Sequence, residues 1–342
     1  MRALQLLNER QLEITNIAPP SPPHSDEVTV RIKAVALNHI DVWGWRGMAF
    51  AKRKMPLTIG AEASGEVIQL GKNVKNLQLG QIVSLYGAQT CGVCQACREG
   101  RDNLCSHVAG VYGFHLDGFA CELVNLPARL LVPAPPKCNE LQAAVAPITF
   151  GTVEHMLFDN AKLQAGEAIL IQAGGSGIGS AAIQLAKQKE CTVITTVGSD
   201  EKIAKAQALG ADHVINYRKE RFEGVVRKLT KKQGVDVVFE HVGKDTWSGS
   251  LLSMKRGGRL VTCGSTSGVT APLNLMQLFQ QQLKIFGSFG CRIENMQNAM
   301  QKMAQGIVHP VIDTMVGFDE IDTALKRIES RDVFGKIILK ID

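Results

Sequence analysis

The residues in this chain whose types and spacing are best suited to chemistry are four cysteines within fifteen residues. They lie in CGVCQACREGRDNLC and follow the spacing C-x2-C-x2-C-x7-C: Cys91, Cys94, Cys97 and Cys105. Four thiolates can enclose a zinc ion in a closed tetrahedral shell, which leaves no position for water or substrate. The surrounding segment is polar and has few side chains with which to form a core. The spacing therefore predicts a structural zinc ion that stabilises this segment in place of a hydrophobic core.

Two other uses of these cysteines are less consistent with the sequence. A ferredoxin-like cluster favours a last gap of three residues followed by proline, whereas here the gap is seven and Ser106 follows. The remaining cysteines are scattered and odd in number, which fits reduced thiols better than a disulfide framework. They are Cys121, Cys138, Cys191, Cys263 and Cys291.

Length and composition predict a soluble, globular protein of two domains. The chain has 342 residues, of which 45% are hydrophobic and 20% charged. Its N-terminus has no cleavable signal pattern, and no apolar stretch reaches the ~18 residues of a membrane span. We therefore expect a cytoplasmic location and no membrane partner. The 38 basic against 32 acidic residues favour anionic ligands without requiring nucleic acid, which we do not expect as a partner.

A change in hydrophobic pattern near residue 140 predicts an α/β fold. Before it, EVTVRIKAVAL alternates apolar and polar residues, as a half-buried strand does. After it, short apolar strands such as AILI, TVITTV and VDVVFE alternate with helical patterns. This alternation is typical of right-handed βαβ units, and it predicts a doubly wound parallel sheet.

A glycine-rich turn follows the first strand of that sheet, in AILIQAGGSGIGSAAIQLA. Backbone amides at the start of the next helix could receive a pyrophosphate there. The strict G-x-G-x-x-G pattern is not met, because serine occupies its middle position. The alternative is a turn that only packs a helix on a strand. We predict a dinucleotide site whose residues in this turn are Gly174, Ser176, Gly177, Ile178 and Gly179.

The end of the second strand bears on the choice between NADH and NADPH. An acidic residue at its tip would bind the adenosine ribose and repel a 2′-phosphate, but the strand ends in Val197 and Gly198. Polar and basic residues nearby could bind a phosphate, which favours NADPH, although Asp200 keeps NADH open and the basic side chains could simply be solvated. The further predicted cofactor residues are Ser199, Lys202, Tyr217, Arg218 and Cys263.

With the cysteine segment and the glycine turn, three further stretches resemble the medium-chain dehydrogenase/reductase superfamily. They are GAEASGEVIQLGKNV (60–74), LNHIDVWGWRG (37–47) and SRDVFGKIIL (330–339). The resemblance implies a GroES-like catalytic domain at 1–148 and 290–342, with a zinc lobe at about 88–110. It implies a Rossmann domain at 149–289, an active site in the cleft between the domains, and a homodimer or homotetramer.

The chain departs from the zinc alcohol dehydrogenases of that superfamily at their catalytic metal. Where those relatives have a cysteine three residues before an aspartate, this chain has Asn38 ahead of Asp41. Ala61 replaces the histidine ligand, and residues 145–153 contain no cysteine, histidine or carboxylate. Alanine offers no lone pair to zinc. One other trio remains chemically open, namely His39, Asp41 and Glu62.

We therefore predict an NAD(P)H-dependent oxidoreductase that transfers hydride to a small conjugated carbonyl or quinone without a catalytic metal. The predicted catalytic residues are Asn38, Asp41 and Glu62. Asn38 would bind the substrate oxygen, Asp41 would hold Asn38 in position, and Glu62 would complete the local hydrogen-bond network. One alternative is a zinc-dependent alcohol dehydrogenase that uses the unorthodox trio. Another is an NADPH-binding protein that binds RNA through the basic stretch 218–232.

Overall fold

The computed structural model describes residues 1–48 and 53–341, which form two compact units. One consists of residues 1–151 and 291–342, apart from the residues outside the described ranges, and the other of residues 152–290. The sequence predicts boundaries at 148/149 and 289/290. None of the helices in the described part of the chain has the length and apolarity that crossing a bilayer requires.

The described residues contain sixteen strands: β1 (Arg2–Asn8), β2 (Gln11–Asn16), β3 (Glu27–Ala36), β4 (Leu57–Thr58), β5 (Ala63–Leu70), β6 (Ile82–Leu85), β7 (Leu123–Pro127), β8 (Leu131–Pro133), β9 (Ala168–Ile171), β10 (Thr192–Val197), β11 (His213–Asn216), β12 (Val235–Glu240), β13 (Met254–Thr262), β14 (Lys284–Gly287), β15 (Ile312–Val316) and β16 (Lys336–Lys340).

The α-helices of the same ranges are α1 (His39–Trp45), α2 (Gln95–Arg98), α3 (Glu140–Ala144), α4 (Gly151–Glu154), α5 (Gly177–Gln188), α6 (Glu201–Ala208), α7 (Phe222–Leu229), α8 (Lys244–Ser253), α9 (Leu275–Gln280), α10 (Ile293–Ala304) and α11 (Ile321–Glu329). Shorter 3-10 turns lie at Asp102–Leu104, Ala128–Leu130 and Phe318–Glu320. Ala146–Phe150 and His155–Asn160 are π-helical.

The first unit is built around β3, its longest strand. A sheet runs in the order β15-β16-β3-β5-β6-β8, and β7 also pairs with β3. Val28, Val30 and Ile32 are buried, as the alternation in EVTVRIKAVAL predicts. Strand β16 lies antiparallel to β3, with Ile338 opposite Ala36. Both ends of the chain therefore contribute to this sheet, and a second sheet has the order β2-β1-β4.

The second unit contains one parallel sheet in the order β11-β10-β9-β12-β13-β14. If the six strands are numbered along the chain from β9, their order across the sheet is 3-2-1-4-5-6. This is the strand order of a doubly wound dinucleotide-binding fold, as the alternating pattern predicts. Leu170 lies opposite Ile194 on one side and Val238 on the other, and Val238 lies opposite Leu260. These four side chains are almost fully buried and form a row across the sheet. The packing of this row holds β10, β9, β12 and β13 in register, and loops of the predicted cofactor site follow the ends of β9, β10 and β13.

Candidate functional site

The four cysteines converge in the first unit. Their sulfur atoms all lie within 4.8 Å of one another, and we call this group the cysteine tetrad. The Cys91 and Cys97 sulfurs are 4.0 Å apart, as are those of Cys94 and Cys105. Sulfurs around a tetrahedral zinc lie about 3.8 Å apart, given a Zn–S distance of about 2.3 Å. The tetrad therefore fits a zinc ion closely.

Backbone N–H groups surround the tetrad and favour its thiolate form. Cys91 Sγ accepts from the N–H of Val93 at 3.4 Å and of Cys94 at 3.3 Å. The N–H groups of Cys97 and Ser106 lower the pKa of the Cys94 thiol to about 5. These donors stabilise negative charge on sulfur, which is the state that binds a metal. Burial has the opposite effect at Cys97, where it raises the pKa to about 12, so this thiol would release its proton on metal binding.

Asn38, the residue before α1, lies where the resemblance to zinc alcohol dehydrogenases implies the first catalytic ligand. Its side-chain Nδ2 donates to the Ala36 carbonyl and to Glu62 Oε2, both at 2.9 Å. Its Oδ1 accepts from Lys336 Nζ at 2.7 Å. Both hydrogens of the amide and its oxygen therefore already have protein partners. A substrate oxygen would reach Nδ2 only by replacing one of these bonds.

Glu62 and Lys336 form a buried ion pair beside Asn38. Glu62 Oε2 is 3.2 Å from Lys336 Nζ, and the side chains are 0% and 5% exposed. Lys336 Nζ also donates to the Leu37 carbonyl at 2.6 Å. Buried charges persist when they are paired and their remaining hydrogen-bonding capacity is used. Lys336 meets both conditions, because its three ammonium hydrogens have three acceptors here.

The other oxygen of Glu62 ties down the π-helical turn Ala146–Phe150. Glu62 Oε1 accepts from the backbone N–H of Ile148 at 2.7 Å and of Thr149 at 2.5 Å. The Thr149 hydroxyl donates to Oε2 at 2.9 Å. One carboxylate thus connects three segments that are distant in sequence. We call Asn38, Glu62, Thr149 and Lys336 the Glu62 network.

Asp41 lies beside this network on the first turn of α1. Its Oδ2 accepts from the Asn38 backbone N–H at 2.7 Å, which fixes the start of the helix. Its Oδ1 is buried and has no hydrogen-bond partner within the described residues. Burial raises the pKa of Asp41 to about 6, against the lowering effects of the Asn38 N–H, of Lys336 and of the Gly60 N–H, which lies near the carboxylate without meeting hydrogen-bond geometry. The Asp41 carboxyl therefore changes charge closer to neutral pH than an exposed aspartate does.

His39, Asp41 and Glu62 do not form a ligand cage. Within residues 1–48 and 53–341 the cysteine tetrad is the only group of three or more such side chains whose ligand atoms lie within 4.8 Å. The Glu62 carboxylate instead accepts hydrogen bonds within the Glu62 network, and the Asp41 carboxylate accepts one from the Asn38 backbone N–H. The geometry therefore does not favour the unorthodox metal trio.

The glycine turn of the second unit leads from β9 into α5. Ser176 precedes the helix, and its hydroxyl accepts from the Gly179 N–H at 2.9 Å. The backbone N–H groups of Gly177 and Ile178, in the first helical turn, have no partner among the described residues, as helix geometry dictates. Two free donors at a helix N-terminus fit an anionic phosphate.

Two glycines of the turn have a packing role as well. A Cβ at Gly174 would lie 2.3 Å from Thr195 Oγ1, and one at Gly179 would lie 2.3 Å from the Ala173 carbonyl oxygen. Neither contact leaves room for a side chain, so both residues allow the helix to approach the sheet closely. The turn therefore combines the packing role with free amide donors.

The residues predicted to contact the adenosine end follow two neighbouring strands: Ser199 and Lys202 come after β10, and Tyr217 and Arg218 come after β11. Tyr217 covers Gly198, at which a Cβ would lie 2.6 Å from the tyrosine hydroxyl. Ser199 follows Gly198, and its carbonyl accepts from the Lys202 N–H at 3.3 Å. Arg218 is exposed beside Tyr217. Of these residues, Tyr217 has a side chain that contacts the chain just after β10.

Cys263 lies elsewhere in this unit, directly after β13. It is half-buried, and its backbone N–H donates to the Glu240 carbonyl at 3.3 Å. The loops that carry Ser199 and Tyr217 follow β10 and β11, which are on the opposite side of β9 from β13. Cys263 therefore belongs to a different strand end from the residues predicted for the adenosine.

Comparison with known proteins identifies the chain's relatives. Residues 24–136 match a family model described as alcohol dehydrogenase GroES-like domain, and residues 177–305 match one described as zinc-binding dehydrogenase. An alcohol dehydrogenase from Geobacillus stearothermophilus is 31% identical over 338 residues, covering 97% of this chain and 96% of the relative. The chain is a medium-chain dehydrogenase/reductase.

Other members of the medium-chain dehydrogenase/reductase superfamily are similarly close. The acryloyl-coenzyme A reductase of Metallosphaera sedula is 29% identical over 342 residues, covering 99% of both chains. A crystal structure described as an NAD-dependent alcohol dehydrogenase has 34% identity and a TM-score of 0.94, with complete coverage of both chains. The predicted GroES-like and Rossmann fold is confirmed. This medium-chain dehydrogenase/reductase is an oxidoreductase dependent on NAD or NADP.

Sequence reasoning missed two members of the Glu62 network. Lys336 lies in SRDVFGKIIL, one of the stretches that resemble the medium-chain dehydrogenase/reductase superfamily, but that resemblance assigns no role to the lysine. A lysine at the start of the apolar run KIIL signals a buried cation, which requires an acidic partner. Thr149 lies in the stretch 145–153, whose sequence indicates a lack of metal ligands but contains no signal for hydrogen bonds to Glu62.

Proposed function

We propose that this medium-chain dehydrogenase/reductase uses NADPH to reduce a small conjugated carbonyl compound or quinone, without a catalytic metal. The observation that carries the proposal is the Glu62 network, which includes the position where the resemblance to zinc alcohol dehydrogenases implies a catalytic ligand. Asn38 and the buried Ala61 replace two metal ligands, and the polar atoms of Asn38 are satisfied by protein groups. The polar atoms at this position are therefore hydrogen-bonded to one another and are not arranged as free ligands for a metal ion.

The names of relatives support both a reductase and an alcohol dehydrogenase. The Metallosphaera sedula protein is named for reduction of acryloyl-coenzyme A, whose acyl group is an α,β-unsaturated carbonyl. The Geobacillus stearothermophilus protein is named an alcohol dehydrogenase. A conjugated substrate is activated by its own carbonyl and needs no Lewis acid at the ligand positions that this chain lacks. The replaced ligands therefore favour the reductase.

Bound NADPH would supply the hydride. The chain's own residues would orient the reactants and exclude water, which are the main protein contributions to such a transfer. Asn38 is the proposed donor to the substrate oxygen, by exchange of one of its present bonds. Asp41 holds the Asn38 backbone, and Glu62 with Lys336 holds its side chain. A fixed amide dipole can stabilise the enolate or phenolate oxygen that develops.

The cofactor would be held by the second unit. The free N–H groups of Gly177 and Ile178 suit the pyrophosphate, and Ser199, Lys202, Tyr217 and Arg218 are the proposed partners of a 2′-phosphate. The absence of an acidic residue at the β10 tip supports NADPH over NADH. Cys263 remains a proposed cofactor contact from another strand end.

The cysteine tetrad would hold one structural zinc ion. Four thiolates complete its shell, so the ion would stabilise the segment from Cys91 to Cys105 and leave no open position for a reactant. A homodimer or homotetramer in the cytoplasm remains our expectation for this protein.

Zinc quantification, paired with NADPH oxidation against a panel of enals, enones and quinones, tests the proposal. We expect about one zinc per chain and NADPH oxidation with members of the panel. About two zinc ions per chain, with alcohol oxidation and no reduction of the panel, would overturn the proposal in favour of a zinc alcohol dehydrogenase.

A further inference from the structure

Asp200 is the first acidic residue after β10, and its carboxylate is held by the neighbouring loop. Asn216, the last residue of β11, donates from Nδ2 to Asp200 Oδ1 at 2.7 Å. Lys219 forms a close ion pair with the other oxygen, Oδ2. Both carboxylate oxygens are therefore engaged by residues from one segment, Asn216–Lys219.

Asn216 also shapes the segment that carries the proposed phosphate-binding residues. It is 7% exposed, so its amide is a fixed element of the sheet edge. Its Oδ1 accepts from the Arg218 N–H at 3.1 Å, and its backbone carbonyl accepts from the Lys219 N–H at 3.0 Å. One buried side chain thus sets the position of the Asp200 carboxylate and the backbone of Arg218 and Lys219.

We propose that Lys219 is a specificity-determining positioning residue, which neutralises Asp200 and holds it, together with Asn216, so that the site accepts a 2′-phosphate. The inference rests on the proposed NADPH dependence and adds its mechanism. A free carboxylate after β10 would accept hydrogen bonds from the ribose hydroxyls of NADH and repel the phosphate of NADPH. Lys219 compensates that charge with its ammonium group, and its hydrogen bond is the first cause that lowers the pKa of Asp200, so the carboxylate stays ionised but paired.

The ion pair is exposed to solvent, so its effect on cofactor choice is modest. The Lys219 and Asp200 side chains are 64% and 55% exposed. Exposed pairs of this kind contribute little, which corresponds to a change of up to about fivefold in an equilibrium constant. Such a change is measurable in a ratio of dissociation constants, because most effects on folding cancel in the ratio.

The test compares three variants: Lys219→Met, Asp200→Asn and the double variant. Dissociation constants for NADPH and NADH are measured from cofactor fluorescence at low ionic strength, with no substrate present. We expect Lys219→Met to lower the preference for NADPH over NADH up to about fivefold. Asp200→Asn keeps or raises the preference, and the double variant returns it to the wild-type value.

Lys187→Met is the matched control. Lys187 pairs with Asp212 at 2.9 Å in the same unit, at the far end of α5 from the glycine turn. If charge compensation at Asp200 causes the effect of Lys219→Met, then Lys187→Met leaves the preference for NADPH over NADH unchanged. Lys219→Gln serves in place of Lys219→Met if the methionine variant does not fold.

An unchanged preference in Lys219→Met would overturn the inference. So would a double variant as impaired as Lys219→Met, because Lys219 would then bind the phosphate directly. Failure of the proposed NADPH dependence has a separate signature, in which the wild-type protein binds NADH as tightly as NADPH. Even then, the response of the ratio to Lys219→Met and its rescue by Asp200→Asn decide the role of Lys219.

Discussion

Lys336 Nζ lies 3.2 Å from Glu62 Oε2 inside the first unit, and neither side chain is more than 5% exposed. Removing one member leaves the other charge buried without its partner. We expect Lys336→Met to lower the free energy of unfolding by about 3–5 kcal/mol, measured by urea denaturation. Lys340→Met, at the exposed end of the same strand, is the control.

The double variant Lys336→Met with Glu62→Gln tests whether the effect comes from unpaired charge. We expect it to recover part of the lost stability, because a neutral glutamine can still accept from the 148–149 amides. A double variant that loses the sum of both single effects would argue against that cause.

Asn38→Ala tests the proposed contact with the substrate oxygen. We expect kcat for NADPH-dependent reduction to fall at least about tenfold, because a single preorganised donor contributes more than that to oxyanion stabilisation. Steady-state kinetics with one enal is the measurement. Ser84→Ala, which removes a buried 2.7 Å hydrogen bond to the Ala143 carbonyl elsewhere in this unit, controls for destabilisation. An unchanged kcat in Asn38→Ala would restrict Asn38 to a structural role.

Asp41 gives stability a dependence on pH. Its pKa rises from 3.8 to about 6 on folding, so the folded state binds the proton more tightly than the unfolded state between these values. Stability attributable to Asp41 is therefore greatest below pH 4 and falls by about 3 kcal/mol as pH rises through 6. We expect the difference in unfolding free energy between wild type and Asp41→Asn to change by about this amount between pH 3 and 7. A constant difference would mean that Asp41 has an ordinary pKa.

The cysteine tetrad should affect stability before activity. We expect Cys105→Ser to lose zinc and to lower Tm by roughly 10 °C, because metal-binding free energy contributes to folding. Activity at a temperature well below Tm should persist, because the tetrad leaves no open position for substrate. Zinc content, thermal unfolding and initial rates provide the test, with Cys138→Ala as a control outside the tetrad. Loss of activity in folded Cys105→Ser would assign the tetrad a part in catalysis.

The features most open to prediction from sequence were those coded locally. The strands and helices of the second unit follow from the alternation of apolar runs, and the cysteine tetrad follows from its spacing. Lys336 was harder to assign, because it bonds with Asn38 at a separation of 298 residues. The pairing of β16 with β3 brings them together. Likewise, the sequence showed Asp200 near the β10 tip, but not that a neighbouring strand end supplies Asn216 and Lys219 to hold it.

The long sequence separation within the Glu62 network also affects the order in which the two units can fold during synthesis. Residues 152–290 form a contiguous unit, whereas the first unit contains segments from both sides of it. While the ribosome is still making the polypeptide, Glu62 exists for most of that time without the ammonium group that will neutralise it. The contiguous unit can therefore fold during translation, and the β-rich unit completes its core only after Lys336 has emerged.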